Sequence, residues 1–228
     1  MKVIVSIGGS VLVPTVEADR VAEYAGVIES VDDAGHEVGI VVGGGPTARE
    51  YIGTARELGA NEIELDQLGI AVTRLNARLL IAALDDRAAP TPLEAHDRAR
   101  EAIRRGDIPV MGGTAAGHTT DAVATALAEY TDADLLVYAT SIDGVYSADP
   151  KTDSEATKFD RLSPAELVDV VGEIEIKAGS NAPVDLLATK LLQRSGLRAI
   201  VLDGTEPENV AGAVDGDHDG TEVVPEER

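Results

Sequence analysis

The stretch that most constrains the fold is residues 112–121, GGTAAGHTTD, which lies between a short apolar segment and a helical pattern. The apolar segment, residues 108–111, resembles a buried strand end, and residues 122–130 repeat apolar side chains at helical spacing. The glycines let backbone amides approach an anion closely, and the TTD sequence lies where a helix begins. The stretch therefore predicts a strand, a phosphate-binding loop and a helix, with an ordinary capped turn as the alternative.

Two further glycine turns follow apolar segments earlier in the chain. Residues 3–7 end in residues 8–10, GGS, and residues 38–42 end in residues 43–46, GGGP. A helical pattern follows both turns, and such alternation is typical of a parallel sheet with helices on its faces. The sequence therefore predicts an α/β fold, a three-layer sandwich with a central, mostly parallel sheet flanked by helices. Because no low-complexity linker divides the chain, residues 1–228 are predicted to form one domain.

Periodicity extends these predictions along the rest of the chain. Helical spacing of apolar residues predicts helices over residues 19–31, 66–84, 93–105, 164–171 and 184–195. Apolar runs predict strands over residues 108–111, 135–139 and 199–202, and a terminal edge strand over residues 222–224.

The charge balance narrows the possible partners. The chain has 41 acidic and 19 basic residues, a formal net charge of -22, and no cysteine. Such a surface repels nucleic acid and anionic lipid, so neither is expected as a partner. At molar salt the Debye length falls to about 3 Å and screens the repulsion among carboxylates, which suggests a high-salt cytoplasm. The lack of cysteine excludes a disulfide framework and a thiolate metal site.

The glycine turns favour phosphate chemistry of an uncommon kind. They match neither the Walker A sequence nor the G-x-G-x-x-G fingerprint, and the chain has no G-x-S-x-G or H-E-x-x-H motif. Phosphoryl transfer needs cations and amides around the moving group more than covalent chemistry from the protein. Glycine amides, Lys190, Arg49 and Asp121 could supply them, although each also has an ordinary structural explanation.

Several short motifs together resemble the amino acid kinase superfamily. They are GGS at residues 8–10, VVGGG at 41–45, GGT at 112–114, TDAVA at 120–124, IDGVY at 142–146 and DP at 149–150. Over essentially its whole length the chain is similar to the archaeal uridylate (UMP) kinases of that superfamily. Two features favour this branch, namely residues 112–121 and Asp66 before Gly69.

The resemblance implies a kinase that transfers the γ-phosphoryl group of ATP to UMP with Mg²⁺. It assigns the acceptor to residues in the first 130 positions, with Asp66 on the ribose and the acceptor loop, residues 114–120, on the phosphate and base. The implied UMP-binding residues are Gly44, Asp66, Thr114, Ala115, Ala116, Gly117, His118, Thr119 and Thr120. A homohexamer in the cytoplasm is implied as well.

The resemblance also implies a donor site and a catalytic group. The implied ATP-binding residues are Gly9, Ser10, Gly45, Arg49, Thr140, Ser141, Tyr146 and Asp149, most of the adenosine side lying after residue 130. Lys190 resembles the superfamily lysine that neutralises charge on the transferred group, and Asp121 resembles the aspartate that orients the basic groups. Gly9 and Ser10 complete the catalytic set, and no protein metal ligand is expected.

One position departs from the superfamily pattern. Many of these kinases carry a lysine two residues before the first glycine of residues 8–10, and here that position is Ser6. A hydroxyl cannot replace a charge, so the cation must come from Lys190, Arg49 or Mg²⁺. Two alternatives stay open: a superfamily kinase for isopentenyl phosphate, carbamate or an acylated amino acid, and a non-catalytic protein that binds nucleotide or an oxyanion.

Overall fold

The computed structural model describes residues 1–150, 152–176 and 183–225. Within these residues one sheet runs in the order β3-β2-β1-β4-β6-β7-β5. Its neighbouring strands pair in parallel except for β6 and β7, which are antiparallel. The strands are β1 (Lys2–Ile7), β2 (Glu37–Val42), β3 (Val110–Met111), β4 (Leu135–Thr140), β5 (Arg161–Leu162), β6 (Ala199–Asp203) and β7 (Thr221–Val223).

Helices cover both faces of this sheet, which confirms the predicted three-layer sandwich. They are α1 (Gly9–Leu12), α2 (Ala18–Asp33), α3 (Gly45–Glu57), α4 (Glu62–Leu84), α5 (His96–Arg105), α6 (Thr120–Thr131), α7 (Pro164–Ile176), α8 (Leu186–Ser195) and α9 (Glu208–Asp215). Alternation along β1 divides the core: Val3, Val5 and Ile7 pack with α2, α4 and α9, whereas Ile4 packs on the opposite face with α5, α6, α7 and α8.

The C-terminal part of the sheet differs from the prediction. The strand predicted at the edge, over residues 222–224, is β7, and it lies between β6 and β5. Its outer neighbour β5 has only two residues, Arg161 and Leu162, which is too few for an alternating pattern. The strand predicted over residues 108–111 is shortened to β3, because Pro109 has no amide hydrogen to donate to a neighbouring strand.

Helix α4 positions much of the site and starts earlier than predicted. The Asn61 side chain accepts hydrogen bonds from the amides of Ile63 and Glu64, while the Glu64 carboxylate accepts one from the Asn61 amide. Among the described residues, the segment Glu62–Arg87 is long and apolar enough to cross a membrane by length and composition alone. Here α4 packs against α2 and α3 and contributes Ala77, Leu80 and Leu84 to the core.

Candidate active site

Three loops that carry predicted site residues leave the same edge of the sheet. Strands β2, β1 and β4 are neighbours and parallel, so their carboxyl ends lie side by side. Residues 43–45, residues 8–10 and residues 140–141 follow these ends in that order. The Gly8 amide donates to the Ala139 carbonyl at 2.9 Å, and the Gly43 amide donates to the Ile7 carbonyl at 2.9 Å. Ligands of open α/β sheets bind at this edge.

The glycine turns at residues 8–10 and 43–46, the first and second in chain order, pack backbone against backbone. A methyl group built on Gly9 would lie 2.5 Å from the carbonyl carbon and oxygen of Gly43 and would overlap the Gly45 nitrogen. Gly45 has a φ of +65°, a conformation that glycine adopts without steric cost. Only glycine fits between these turns, so both backbones come close enough to line one anion-binding surface.

Polar residues of α4 form hydrogen bonds with the second glycine turn and with the third, which begins at Gly112. The Asn76 side chain is buried, and its amide donates to the carbonyls of Gly43 at 2.9 Å and Gly44 at 3.2 Å. The Thr73 hydroxyl accepts the Gly113 amide at 2.8 Å, and Arg74 donates to the Gly113 carbonyl at 3.2 Å. These hydrogen bonds fix the direction of the backbone groups of Gly43, Gly44 and Gly113, and the turns are thereby pre-organised.

The acceptor loop closes onto the start of α4. The Gly117 amide donates to the Asp66 carboxylate at 2.7 Å, and Gly117 has a φ of +80°. The His118 amide donates to the Ala115 carbonyl at 3.2 Å. The loop exposes Ala115, His118 and Thr119, whereas Thr114 and Ala116 are partly buried. The Asp66 carboxylate thus connects the loop to the helix, with one of its oxygens engaged by Gly117.

A cavity of about 340 Å³ lies between these elements. Of the predicted acceptor residues it includes Gly44, Asp66, His118, Thr119 and Thr120, and of the predicted donor residues it includes Gly45 and Arg49. Residues 114–117 are not part of its lining. Six lining residues were missed by the sequence analysis as site residues: Ala48, Ile52, Gly69, Ile70, Thr73 and Gly113. Thr73, three residues after Ile70 in a helical pattern, was the one polar signal that could have revealed this face.

A partly buried aspartate, Asp121, lies at the start of α6. Ser6 donates a hydrogen bond of 2.8 Å to Asp121, and Thr119, which caps α6, donates to Asp185, the cap of α8. Burial raises the pKa of the Asp121 carboxyl to about 7; the hydrogen bond from Ser6 opposes this rise and the charge of Asp185 adds to it. The amino ends of α6 and α8 are therefore joined beside a carboxyl group that ionises near neutral pH.

The two predicted cations, Lys190 and Arg49, lie on different helices. Lys190 lies on α8 and is exposed. The cap of α8, Asp185, contacts the acceptor loop through Thr119. Arg49 lies on α3 and donates to the Ser10 hydroxyl at 3.2 Å, so it links the second glycine turn to the first.

The residues predicted around adenosine begin at Thr140, the last residue of β4, and continue after it. The Thr140 hydroxyl donates to the Ile142 carbonyl at 2.8 Å, and the adjacent Ser141 is exposed. The Tyr146 hydroxyl donates to Asp143 at 2.8 Å, and its residue is partly buried; Asp149 is buried, with 6% of its surface exposed. None of these four lies in the 340 Å³ cavity, so the structure places them along the same sheet edge but outside that cavity.

The described side chains do not form a metal-binding cluster of their own. Within residues 1–150, 152–176 and 183–225, no group of three or more His, Asp or Glu side chains could hold a metal ion. A small, strongly hydrated ion such as Mg²⁺ is commonly bound by one or two carboxylates and by substrate phosphates.

Comparison with known proteins shows how this chain is related. Residues 1–203 match the model of the amino acid kinase family. The chain is 70% identical to the uridylate kinase of Haloarcula marismortui over 99% of this chain and 100% of that protein. It is 64% identical to the uridylate kinase of Halobacterium salinarum over 99% of this chain and 94% of that protein.

A solved structure agrees with these relatives. The crystal structure of uridylate kinase from Archaeoglobus fulgidus superposes with a TM-score of 0.89 at 49% identity, covering 98% of this chain and 100% of that one. Two of the relatives come from halophilic archaea, in keeping with the halophilic origin suggested by the acidic composition.

Proposed function

The chain belongs to the amino acid kinase family, and from that premise we propose that it is a uridylate kinase, which converts UMP to UDP. The observation that carries the proposal is the 340 Å³ cavity, where Asp66, His118 and the Thr119–Thr120 pair meet the second glycine turn. A cavity of this size suits a nucleoside monophosphate. The 70% identity to a uridylate kinase over nearly the whole chain supports the same function.

We propose that UMP occupies this cavity. Asp66 can accept hydrogen bonds from ribose hydroxyls through the oxygen that Gly117 does not engage, which is the geometry a carboxylate acceptor needs. The amino end of α6, with the hydroxyls of Thr119 and Thr120, offers donors to the phosphate. His118 lines the cavity and serves as a contact, since the UMP phosphate is already ionised and needs no general base.

We propose that ATP lies across the first two glycine turns. Gly9, Ser10 and Gly45 offer backbone amides, and Arg49 lies beside Ser10 with a guanidinium that can pair with phosphate. The adenosine would extend past Thr140 and Ser141 toward Tyr146 and Asp149. Mg²⁺, held by the ATP phosphates, would neutralise part of their charge when bound.

In the proposed reaction a UMP phosphate oxygen attacks the γ-phosphorus while the bond to the departing ADP oxygen breaks. The protein contributes positioning and charge: glycine amides hold the donor, and the amino end of α6 holds the acceptor. Lys190 is proposed to stabilise negative charge on the transferred group, and Asp121 to orient the cations. Because α8 begins beside Thr119, Lys190 belongs to an element already fixed to the acceptor loop.

The function is tested by ADP release in molar KCl with Mg²⁺ and ATP, offering UMP, CMP, dUMP and isopentenyl phosphate separately. We expect turnover of UMP and a loss of about 10²-fold or more in kcat for Lys190→Ala, since removing charge stabilisation from a transition state costs that much. Arg194→Ala is the matched control, because Arg194 lies one turn further along α8 and pairs with Glu129. Turnover of isopentenyl phosphate but not UMP would overturn the assignment, and no turnover despite ATP binding would indicate a binding protein.

We also propose that the chain is one domain that assembles into a homohexamer in the cytoplasm. Acceptor binding by roughly residues 1–130 and ATP binding by roughly residues 131–228 are proposed to share the single sheet, since β4 pairs directly with β1. Exposed apolar residues lie on α3 and α4. Tyr51 is 58% and Leu58 83% exposed, and both line a cavity of about 430 Å³, while Ile63 at the start of α4 is 56% exposed. We propose that a second copy covers this face.

Replacing Leu58 with Glu is expected to weaken assembly. A buried charge without a partner is costly, so we expect the dissociation constant between copies to rise at least about tenfold. Sedimentation velocity in molar KCl measures the change, with Leu58→Met as the control that keeps the side chain apolar. Equal masses for wild type and Leu58→Glu across a concentration series would contradict this interface.

A further inference from the structure

Ser6 is a polar residue inside an otherwise apolar strand. It lies in β1, is 2% exposed, and is opposite Val41 of β2 and Tyr138 of β4. A hydroxyl buried at this depth costs free energy unless it is hydrogen-bonded. Ser6 meets this requirement by donating to the Asp121 carboxylate at 2.8 Å, across 115 residues of sequence.

The backbone of Asp121 accepts a hydrogen bond from a hydroxyl of its own helix, α6, and that hydroxyl also contacts strand β4. The Thr125 hydroxyl donates to the Asp121 carbonyl at 2.7 Å, and the Tyr138 hydroxyl lies 2.6 Å from the Thr125 oxygen. Tyr138 is the partner of Ser6 in the pairing of β1 with β4. Strand β1 therefore contacts the side chain of Asp121 directly, whereas β4 contacts its main chain only through Thr125 of the same helix.

Among the described groups that shift the pKa of Asp121, only the Ser6 hydroxyl favours the ionised carboxylate. Asp185 on α8 and Tyr138 on β4 are the titratable groups that interact with it electrostatically, and a second carboxylate disfavours its ionised form. The hydrogen bond from Ser6 favours the ionised form instead. The hydroxyl thus fixes both the position and the charge of this carboxylate.

We propose that Ser6 is a positioning residue for phosphoryl transfer, which holds the Asp121 carboxylate at the amino end of α6 so that it can orient the cations of the site. This inference rests on the proposed kinase function and extends it to the position at which related kinases carry a lysine. Ser6 itself touches neither substrate. Its role differs from that of a lysine, because it acts on the aspartate and leaves charge neutralisation to Lys190, Arg49 and Mg²⁺.

The proposal predicts a specific effect on pH dependence. If ionised Asp121 is the productive form, activity rises with pH as this group loses its proton. Removing the Ser6 hydroxyl raises the pKa of Asp121. The acid limb of the profile of kcat against pH should therefore move to higher pH, by roughly 0.5 to 1 pH unit for one hydrogen bond. The apparent KM for UMP should stay within about twofold, because the cavity walls are unchanged.

The experiment compares Ser6→Ala, Ser6→Thr and Tyr138→Phe by kcat, KM and the pH profile of ADP release. We expect Ser6→Ala to lose about two- to fivefold in kcat at pH 7, because a smaller fraction of Asp121 is ionised, and to shift the acid limb, and we expect Ser6→Thr to restore both. Tyr138→Phe removes a hydroxyl from the same buried network without touching the carboxylate, so it should lower stability but leave the acid limb in place. Equal kcat losses in Ser6→Ala and Tyr138→Phe without a limb shift would overturn the proposal.

A measurement without turnover separates this inference from the proposed function. Carboxyl ¹³C NMR titration of Asp121 in the free protein should show a higher pKa in Ser6→Ala than in wild type and Ser6→Thr. If UMP is not a substrate while this shift is observed, the kinase assignment fails and the contact between Ser6 and Asp121 stands. An unchanged Asp121 titration in Ser6→Ala, with UMP turned over normally, would overturn the role of Ser6 alone.

Discussion

Replacing Asp121 with Asn is expected to remove most of the turnover while making the folded protein more stable above neutral pH. The catalytic loss should be about 10²-fold to 10³-fold in kcat, because a neutral amide cannot orient the cations around the transferred group. The gain in stability has a separate cause. Burial raises the pKa of this carboxyl from 3.8 to about 7, so keeping it ionised in the folded state costs free energy.

The pH dependence of this gain follows from the direction of the shift. Well below pH 3.8 the carboxyl is protonated in both the folded and the unfolded chain, and wild type and variant should unfold alike. Between pH 4 and pH 7 the unfolded chain releases the proton first, so wild type loses stability as pH rises, by up to about 4 kcal/mol for a shift of about three units. Asn lacks this penalty and keeps an oxygen that can accept from Ser6.

Chemical denaturation of both proteins at pH 4 and pH 8, in the same KCl concentration, measures the difference. Asp134→Asn is a suitable control, because the Asp134 carboxylate accepts the Lys2 amide at the exposed start of β1. A stability difference between Asp121→Asn and wild type that is equal at both pH values would contradict a buried, ionisable Asp121. Unchanged kcat in Asp121→Asn would remove this residue from the proposed mechanism.

The layered fold could be predicted because each of its long elements carries a local signal. The segments that became β1, β2, β4 and β6 are apolar and end in turn residues, and α2 and α4 repeat apolar residues at helical spacing. The short elements carry no such signal. Two residues in β5 cannot show a period, and this omission also caused the wrong prediction that β7 is an edge strand.

The site was only partly predictable because its contacts join distant segments. The glycine turns can be recognised by their composition. Of the side chains that hold them, Thr73 gives a weak signal on the apolar side of the predicted helix, but Asn76 looks in sequence like an ordinary polar residue of a helix. The face of α4 that meets the turns is decided by tertiary packing. The contact between Ser6 and Asp121 is similar: β1 predicts which sheet face Ser6 occupies, but the location of α6 on that face is a property of the fold.

Substituting Gly9 with Ala is expected to disrupt ATP binding more than any change of a side chain that only lines the site. The added methyl group would lie 2.5 Å from the carbonyl carbon and oxygen of Gly43, and backbone atoms cannot move aside as a flexible side chain can. The first and second glycine turns must therefore separate. A displacement of about 1 Å in a phosphate-binding loop can cost about 10²-fold in rate, and overpacking of this kind costs roughly 1–3 kcal/mol of stability or more.

Gly53→Ala provides the matched control for this substitution. A methyl group on Gly53, in α3, would meet no atom within 4 Å, so the change should stabilise the helix by up to about 1 kcal/mol and leave ATP binding intact. Calorimetric titration with ATP and Mg²⁺ and thermal unfolding of both variants separate the two effects. We expect Gly9→Ala to bind ATP at least about 10²-fold more weakly than Gly53→Ala. Equal affinities would mean that the close approach of the two turns is not needed to hold the nucleotide, and the donor site would then have to be sought beyond β4.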